Sequence, residues 1–330
     1  MRKRGERGVG EGKPASSEDK KILELARIPE DFFIPFSELK WVSNLSEGAM
    51  GEVHRVQWRG IDCAVKRIKG KQKNQIDASL YQDMIGEMYV MSRIGLHPNI
   101  ISLYGVCAGP SNDPVIIMEL TLGPSLESFL QTIEGNLVNW RKQRTTYSQW
   151  CSGVLKGLAF LHDRDPIILH RDLKPGNLLI ADNLKTIKIV DFGVSRTLRK
   201  GDRLKRSLTG MTGTRRYMAP EVHAVKRGKY TEKADVYSCC IVMWEMASGV
   251  KPFSTVPVQE LNKPEVRYKI RPPLEVLEWK EFGAWLAKGW HVDPEVRPSA
   301  TEMLAEFEGL QGPSARRHGV WGPLPIAQSS

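Results

Sequence analysis

The chain has few cysteines and no pattern among them. Cys63, Cys107, Cys151, Cys239 and Cys240 form an odd set with no C-x-x-C pair, which argues against a disulfide framework and a zinc ribbon. Reduced thiols are the expectation. No apolar run approaches the ~20 residues of a membrane span, and the N-terminal stretch MRKRGERGVGEGKPASSEDKK lacks the apolar core of a secretion signal. A cytoplasmic protein without a membrane span is therefore expected. No internal repeat is visible.

What is present is an ordinary globular composition. With 330 residues, 41% hydrophobic and 26% charged, the chain can bury a core in one large domain or two lobes. The formal charge of +10 would suit a nucleic-acid partner, but the excess is local. RTLRKGDRLKR, 196 to 206, holds six bases against Asp202. No aromatic residue interleaves them to form a stacking platform, so no nucleic-acid partner is expected.

The organisation is legible from turn residues and periodicity. Residues 1 to 19 are polar and read as disordered, and 311–330 as a Gly/Pro-rich tail. In KKILEL, 20 to 25, Leu23 and Leu25 suggest a short amphipathic helix packing on the rest of the chain rather than a docking motif. ELKWVSNL, EVHRVQWRG and DCAVKRI are separated by turn residues and predict an antiparallel sheet. A helix is expected around LYQDMIGEMYVMSRI, closing at Gly95. After PVIIMEL the patterns become mainly helical, so a small sheet-rich lobe joins a larger helical one near Leu120.

Charged residues held between apolar anchors mark the chemistry. IILHRDLKPGNLLI, 167 to 180, inserts His170, Arg171, Asp172, Lys174 and Asn177 between two short apolar runs. A core tolerates such groups only if they are paired or solvated. IKIVDFGVSR likewise runs an apolar strand into Asp191. Asp172, Asn177 and Asp191, each beside an apolar anchor, can converge on one cleft, and oxygen ligands of this kind suit Mg²⁺. In LSEGAMGEV, 45 to 53, Gly48 and Gly51 lie between Leu45 and Val53 and allow close approach to a ligand. Alone this is the pattern of any glycine-bearing hairpin. Just beyond it, however, Ala64 and Lys66 share one strand face, and Lys66 can reach a phosphate.

In order, GxxGxV with AVK, Glu87, HRDLKPGN, DFG, APE, DVYS and Arg297 resemble the eukaryotic protein kinases across about residues 39 to 310. IPFSELKW, QWRGIDCAVK and GWHVDPEVRPS look most like the tyrosine-kinase-like group, which includes the Raf-like kinases. The resemblance implies a bilobal α+β fold, with an N-terminal extension over 1–38, an N-lobe over 39–120 and a C-lobe over 121–310. It implies ATP and Mg²⁺, with Lys66 on the α- and β-phosphates and paired with Glu87 rather than Asp83. Asp172 would accept the proton of the substrate hydroxyl, and Asn177 and Asp191 would hold Mg²⁺. Leu45, Val53, Ala64 and Leu179 would cover the adenine, with Met118 as gatekeeper and Glu119 and Thr121 offering hinge backbone bonds. His170, Phe192, Met91 and Leu103 resemble the apolar spine between the lobes, so His170 is expected to be packed. Lys174 and Thr214 match serine/threonine enzymes, so the implied partners are protein substrates.

Two positions depart from the family pattern. Ser46 stands at the first glycine of the phosphate loop, where it could strain a turn, and Cys240 replaces a glycine after DVYS. No catalytic position is lost, whereas a pseudokinase scaffold would show damage at Lys66, Asp172 or Asp191. The basic run precedes Ser207, Thr209, Thr212 and Thr214. A phosphate on one of the first three, added by an upstream kinase or by the protein itself, would be expected to order the loop against Arg171 and its neighbours.

Overall fold

The computed structural model describes residues 14–48, 51–68, 77–133, 136–198, 204–205, 214–223, 229–257 and 259–315. Ser207, Thr209 and Thr212 lie outside these. The first helix among the described residues is α1 (Ser17–Leu25), which covers the helix expected over 20–25 and starts inside the stretch expected to be disordered through residue 19. Ser16 caps it: its hydroxyl accepts the Asp19 N–H at 3.2 Å, and Asp19 Oδ2 accepts the Ser16 N–H at 2.9 Å. The other Asp19 oxygen accepts the Ala108 N–H at 2.7 Å, which ties α1 to the sheet. Ile22 and Leu23 are buried while Leu25 is exposed, so the packed pair is Ile22 and Leu23.

Five antiparallel strands form the small lobe in the order β1-β2-β3-β5-β4. They are β1 (Leu39–Gly48), β2 (Gly51–Trp58), β3 (Ile61–Arg67), β4 (Leu103–Ala108) and β5 (Pro114–Glu119). The first hairpin closes at Gly48 opposite Gly51. Gly51 has φ +147°, and a Cβ there would overlap the Arg67 carbonyl oxygen, so only glycine lets β2 start against the end of β3. Strand alternation on β3 turns Cys63 and Val65 into a core with Val56, Val115 and Ile117. It therefore leaves Ala64 and Lys66 on the opposite face. Across that face stands α2 (Ala78–Ile94), capped by Asp77, which accepts the Ser79 N–H at 2.9 Å. Met84, Met88 and Met91 bury one helical stripe, and Glu87 lies within it.

The large lobe is mainly helical. It comprises α3 (Leu126–Thr132), α4 (Leu137–Arg141), α5 (Arg144–His162), α6 (Pro220–His223), α7 (Glu232–Ser248), α8 (Pro264–Arg267), α9 (Lys280–Gly289) and α10 (Ala300–Ala315). The last helix enters the stretch expected to be a tail. Every residue of α7 from Ala234 to Ser248 is buried, as befits a helix at the centre of a lobe. Cys240 lies fully inside it, and burial pushes its thiol up to about 12, so it packs rather than reacts. Two antiparallel ribbons lie beneath the small lobe: β6 (Ile167–Leu169) with β9 (Arg196–Leu198), and β7 (Leu178–Ala181) with β8 (Thr186–Ile189). The apolar anchors read from sequence are β6 and β7. Both charged loops thus leave ribbon ends on the side facing β3 and α2. Two short strands, β10 (Leu204–Lys205) and β11 (Lys229–Tyr230), pair separately. No helix among the described residues is long and apolar enough to cross a membrane.

Candidate active site

Three elements bring three charges to one point. Lys66 Nζ from β3 lies 2.8 and 2.7 Å from the two carboxylate oxygens of Glu87 and 3.1 Å from Asp191 Oδ1. Asp83 on the same helix takes no part. Burial works against the Lys66 charge, but the Glu87 and Asp191 carboxylates outweigh it and hold its pKa above the usual lysine range. Burial raises Glu87, with Lys66 opposing that rise. Burial also opposes the Asp191 charge, yet Lys66 keeps this carboxyl below its ordinary value. The Asp191 side chain remains 37% exposed, whereas Glu87 is 5% exposed. Only the former faces open space.

The loop between β6 and β7 is fixed from below. Asp235, at the start of α7, accepts the backbone N–H groups of His170 at 2.8 Å and Arg171 at 2.9 Å. These bonds hold Arg171 at φ 69°, a conformation that costs a non-glycine residue energy. Asp191 adopts φ 65° in the neighbouring loop. His170 is fully buried, edge-on to Phe192 with ring centroids 5.2 Å apart. Its Nε2 lies 3.1 Å from the Val190 carbonyl and its Nδ1 accepts the Asp172 N–H at 3.3 Å. Those partners require a neutral ring protonated at Nε2, a packed histidine rather than a proton shuttle. Sequence reasoning missed the Asp235 anchor, because a helix-start acid gives no sign of which distant loop it holds.

Asp172 is surrounded by donors. Thr214 gives its backbone N–H to Oδ1 at 2.7 Å, and Lys174 Nζ lies 2.7 Å from Oδ2. The Asn177 side-chain amide donates to the Asp172 carbonyl at 2.8 Å and to Oδ2 at 3.1 Å. With its NH₂ so engaged, Asn177 keeps its side-chain oxygen for another partner. The Asn177 carbonyl accepts the Val190 N–H at 3.0 Å, so the segments carrying Asn177 and Asp191 are bonded directly. Among the described residues no group of three or more His, Cys, Asp or Glu side chains could hold a metal. Asn177 and Asp191 are a sparse, hard-oxygen set of the kind Mg²⁺ completes with phosphate and water.

The apolar residues fall around the same cleft. Ala64 pairs with Met118 across β3 and β5, and Met118 with Leu103 across β4. Val53 opposes Lys66 on β2, and Leu179 sits on β7, bridged to Ser125. Leu45 lies at an irregularity of β1 and is 42% exposed, as a cover over an open cleft would be. Ser46 pairs with Val53 and is not among the positive-φ residues, so serine there brings no backbone strain. Glu119 turns its side chain away, 2.8 Å from Lys188, and ends β5; Thr121 follows in the connection between lobes. A second ion pair lies deeper: Arg297 meets Glu221 through two bonds of 2.7 and 2.8 Å.

The protein kinase domain model matches residues 39–307. The probable serine/threonine-protein kinase drkD of Dictyostelium discoideum is 32% identical over 292 residues, which are 88% of this chain and 21% of that protein. The probable serine/threonine-protein kinase drkC of the same organism is 32% identical over 277 residues, 84% of this chain and 35% of that protein. Human mitogen-activated protein kinase kinase kinase 7 is 32% identical over 278 residues, 82% of this chain and 41% of that protein. The chain thus spans less than half the length of each of these relatives. Its sheet-and-helix bilobal architecture and the match over most of its length place it plainly: the chain belongs to the protein kinase domain family.

Proposed function

We propose that this chain is an ATP-dependent protein serine/threonine kinase. The observation that carries the reading is the convergence of Lys66, Glu87 and Asp191 beside a donor-ringed Asp172. Lys66, oriented by Glu87, holds the α- and β-phosphates, while Leu45, Ser46, Gly48, Gly51 and Val53 cover the nucleotide. Ala64, Met118 and Leu179 line the adenine, and Glu119 and Thr121 meet its edge with backbone groups. Asn177 and Asp191 hold Mg²⁺, which supplies charge neutralisation on the phosphate oxygens. Asp172 orients the substrate hydroxyl and accepts its proton as the new O–P bond forms and the bond from Pγ to the β–γ bridging oxygen breaks, releasing ADP. Lys174 and Thr214 position the reacting groups. The charges are set before the substrate arrives, so positioning and electrostatics supply the catalysis without a covalent enzyme intermediate.

Serine and threonine as acceptors, a cytoplasmic signalling role and control through the activation segment extend the same reading. The names of the relatives support the first. The test is incubation of purified protein with Mg²⁺-ATP and a peptide library, with mass spectrometry locating each new phosphate. Wild type should modify Ser or Thr, and Asp172→Asn should lose turnover while retaining ATP binding. Equal turnover in the two proteins would overturn the catalytic assignment and favour a pseudokinase scaffold. A product dominated by phosphotyrosine would overturn the acceptor assignment alone.

A further inference from the structure

A pocket of about 370 Å³ opens beside Asp172. Its walls come from α3, the loop after β6, the segment before α6 and the turn after α7. Glu127, Lys174, Thr214, Arg215, Arg216 and Lys251 supply its polar lining. Two of these residues also reach Asp172: Lys174 through Nζ and Thr214 through its backbone N–H, each at 2.7 Å. The pocket therefore adjoins the atom assigned to receive the acceptor's proton. At about 3.3–3.6 Å per residue of extended chain, it is within reach of a side chain one or two positions from that acceptor.

The charges of the lining do not cancel. Four cations face one carboxylate, and adding Asp172, the partner of Lys174, still leaves four against two. Glu127 stands close to Lys174: a Cβ placed on Gly176 would lie 3.1 Å from Glu127 Oε2 and 3.7 Å from Lys174 Cε. The negative wall thus has a cation alongside it, and Gly176 leaves the space between them open. Arg216 is held differently. Its Nη1 donates to the carbonyls of Pro252 and Phe253 at 3.0 and 2.7 Å, which fixes the guanidinium without neutralising it. Among the described residues neither Arg215 nor Lys251 forms an ion pair. Arg215, Arg216 and Lys251 carry the excess: the buried Glu245 also faces Arg216 and Lys251, but burial pushes its carboxyl up to about 7, so it offsets them only in part.

We infer that this pocket selects an anionic side chain, Asp, Glu or a phosphorylated residue, one or two positions from the acceptor serine or threonine. The inference rests on the kinase reading above and names its substrate class. A guanidinium fork would bind carboxylate and phosphate oxygens alike, the phosphate more strongly through its higher charge. Burial is partial, so the preference should weaken as salt rises.

The experiment is a set of peptides with one central serine and alanine elsewhere, carrying Arg, Ala, Glu or phosphoserine at each of the two positions on either side. For wild type, kcat/KM at one position should rank phosphoserine and Glu about tenfold above Ala and Arg below it, a difference of about 1.4 kcal/mol. Glu alone or phosphoserine alone above Ala would support the pocket and identify its natural occupant. Arg215→Glu with Lys251→Glu should invert the order, Arg above Glu. A wild-type preference for Arg, as Glu127 acting alone would give, overturns the proposal, as does a flat ranking or one unchanged by the double variant. Those outcomes leave the kinase reading intact. Absence of phosphate on every peptide overturns both.

Discussion

Two buried ion clusters in this molecule use the same chemistry to opposite ends. Arg297 spends all five N–H groups within the fold, two on Glu221 and one each on the carbonyls of His291, Lys233 and Val292, and its side chain has no exposure. Lys66 has three donors for three carboxylate oxygens, so it too is saturated, but one partner is the half-exposed Asp191. Glu87 is set by a packed helix, whereas Asp191 sits in a loop with a positive φ. The Arg297 cluster can exchange nothing without opening the lobe. The Lys66 cluster can exchange one carboxylate oxygen for a phosphate oxygen while Glu87 keeps hold. Replaceability of a partner, more than burial or distance, separates the pair proposed for phosphate binding from the structural one.

The largest expected effect comes from breaking the structural side. Arg297→Met leaves Glu221 buried without its cation, and loss of one member of such a pair costs about 3 to 5 kcal/mol. Urea unfolding should show that loss, and a shift below 1 kcal/mol would remove the contrast. On the functional side, Lys66→Met should lower phosphotransfer about 10²- to 10³-fold, the scale for removing one preorganised charge-stabilising donor. Its melting temperature should fall by less than that of Arg297→Met, because the buried Glu87, whose pKa burial already raises, can then take a proton. A large drop in melting temperature with a small drop in turnover would make the Lys66 cluster structural as well.

The sequence made the cleft more legible than its supports. Lys66 sits on an apolar strand, Asp172 and Asp191 follow one and Asn177 directly precedes one, and strand alternation alone places Ala64 and Lys66 on one face. The ribbons β6–β9 and β7–β8 then carry the two charged loops to the same side. Tertiary anchors gave no such signal. Asp19 looked like one polar residue among many, yet it bonds across 89 positions to Ala108. Its local signal, Ser16 three residues before an acid, is a capping pair that marks a helix start. The same holds for Glu127 and Lys251, which only the folded chain brings to one pocket.

Helix α1 supplies a third expectation, which sharpens the contrast between fixed and exchangeable partners. Ile22 and Leu23 belong to the core that includes Met84 and Met88 of α2, the helix that holds Glu87. Ile22→Ala should therefore cost about 2 to 3 kcal/mol, near the lower end for a buried aliphatic, whereas the exposed Leu25→Ala should change stability by under about 0.5 kcal/mol. If α1 steadies Glu87, Ile22→Ala should also raise KM for ATP at temperatures where the protein is fully folded. Lower stability with an unchanged KM would make α1 a packing element only.

The smallest effect concerns a buried acid paired with a neutral donor. Glu245 on α7 is 6% exposed, and its Oε2 accepts the Tyr217 hydroxyl at 2.7 Å. Burial pushes the Glu245 carboxyl up to about 7, although the Tyr217 bond favours the ionised form; Lys251, Glu127 and Arg216 also face it. Below the ordinary value of 4.5 the group is protonated in both folded and unfolded chains. Between 4.5 and about 7 the unfolded chain releases its proton while the folded one retains it, so stability falls as pH rises, and the fall levels off above 7. From pH 6 to pH 8 the remaining loss is about 1 kcal/mol, roughly 2 to 4 °C in melting temperature. Glu245→Gln keeps an acceptor for Tyr217 and has no proton to release, so its stability should lack this component of the slope. Tyr217→Phe removes the bond that favours ionisation and should carry the fall to higher pH. The measurement is melting temperature against pH for the three proteins in buffers of matched ionic strength. Identical slopes in wild type and Glu245→Gln would show that Glu245 is ionised throughout, and would move it to the side of Glu221, whose partner is a cation.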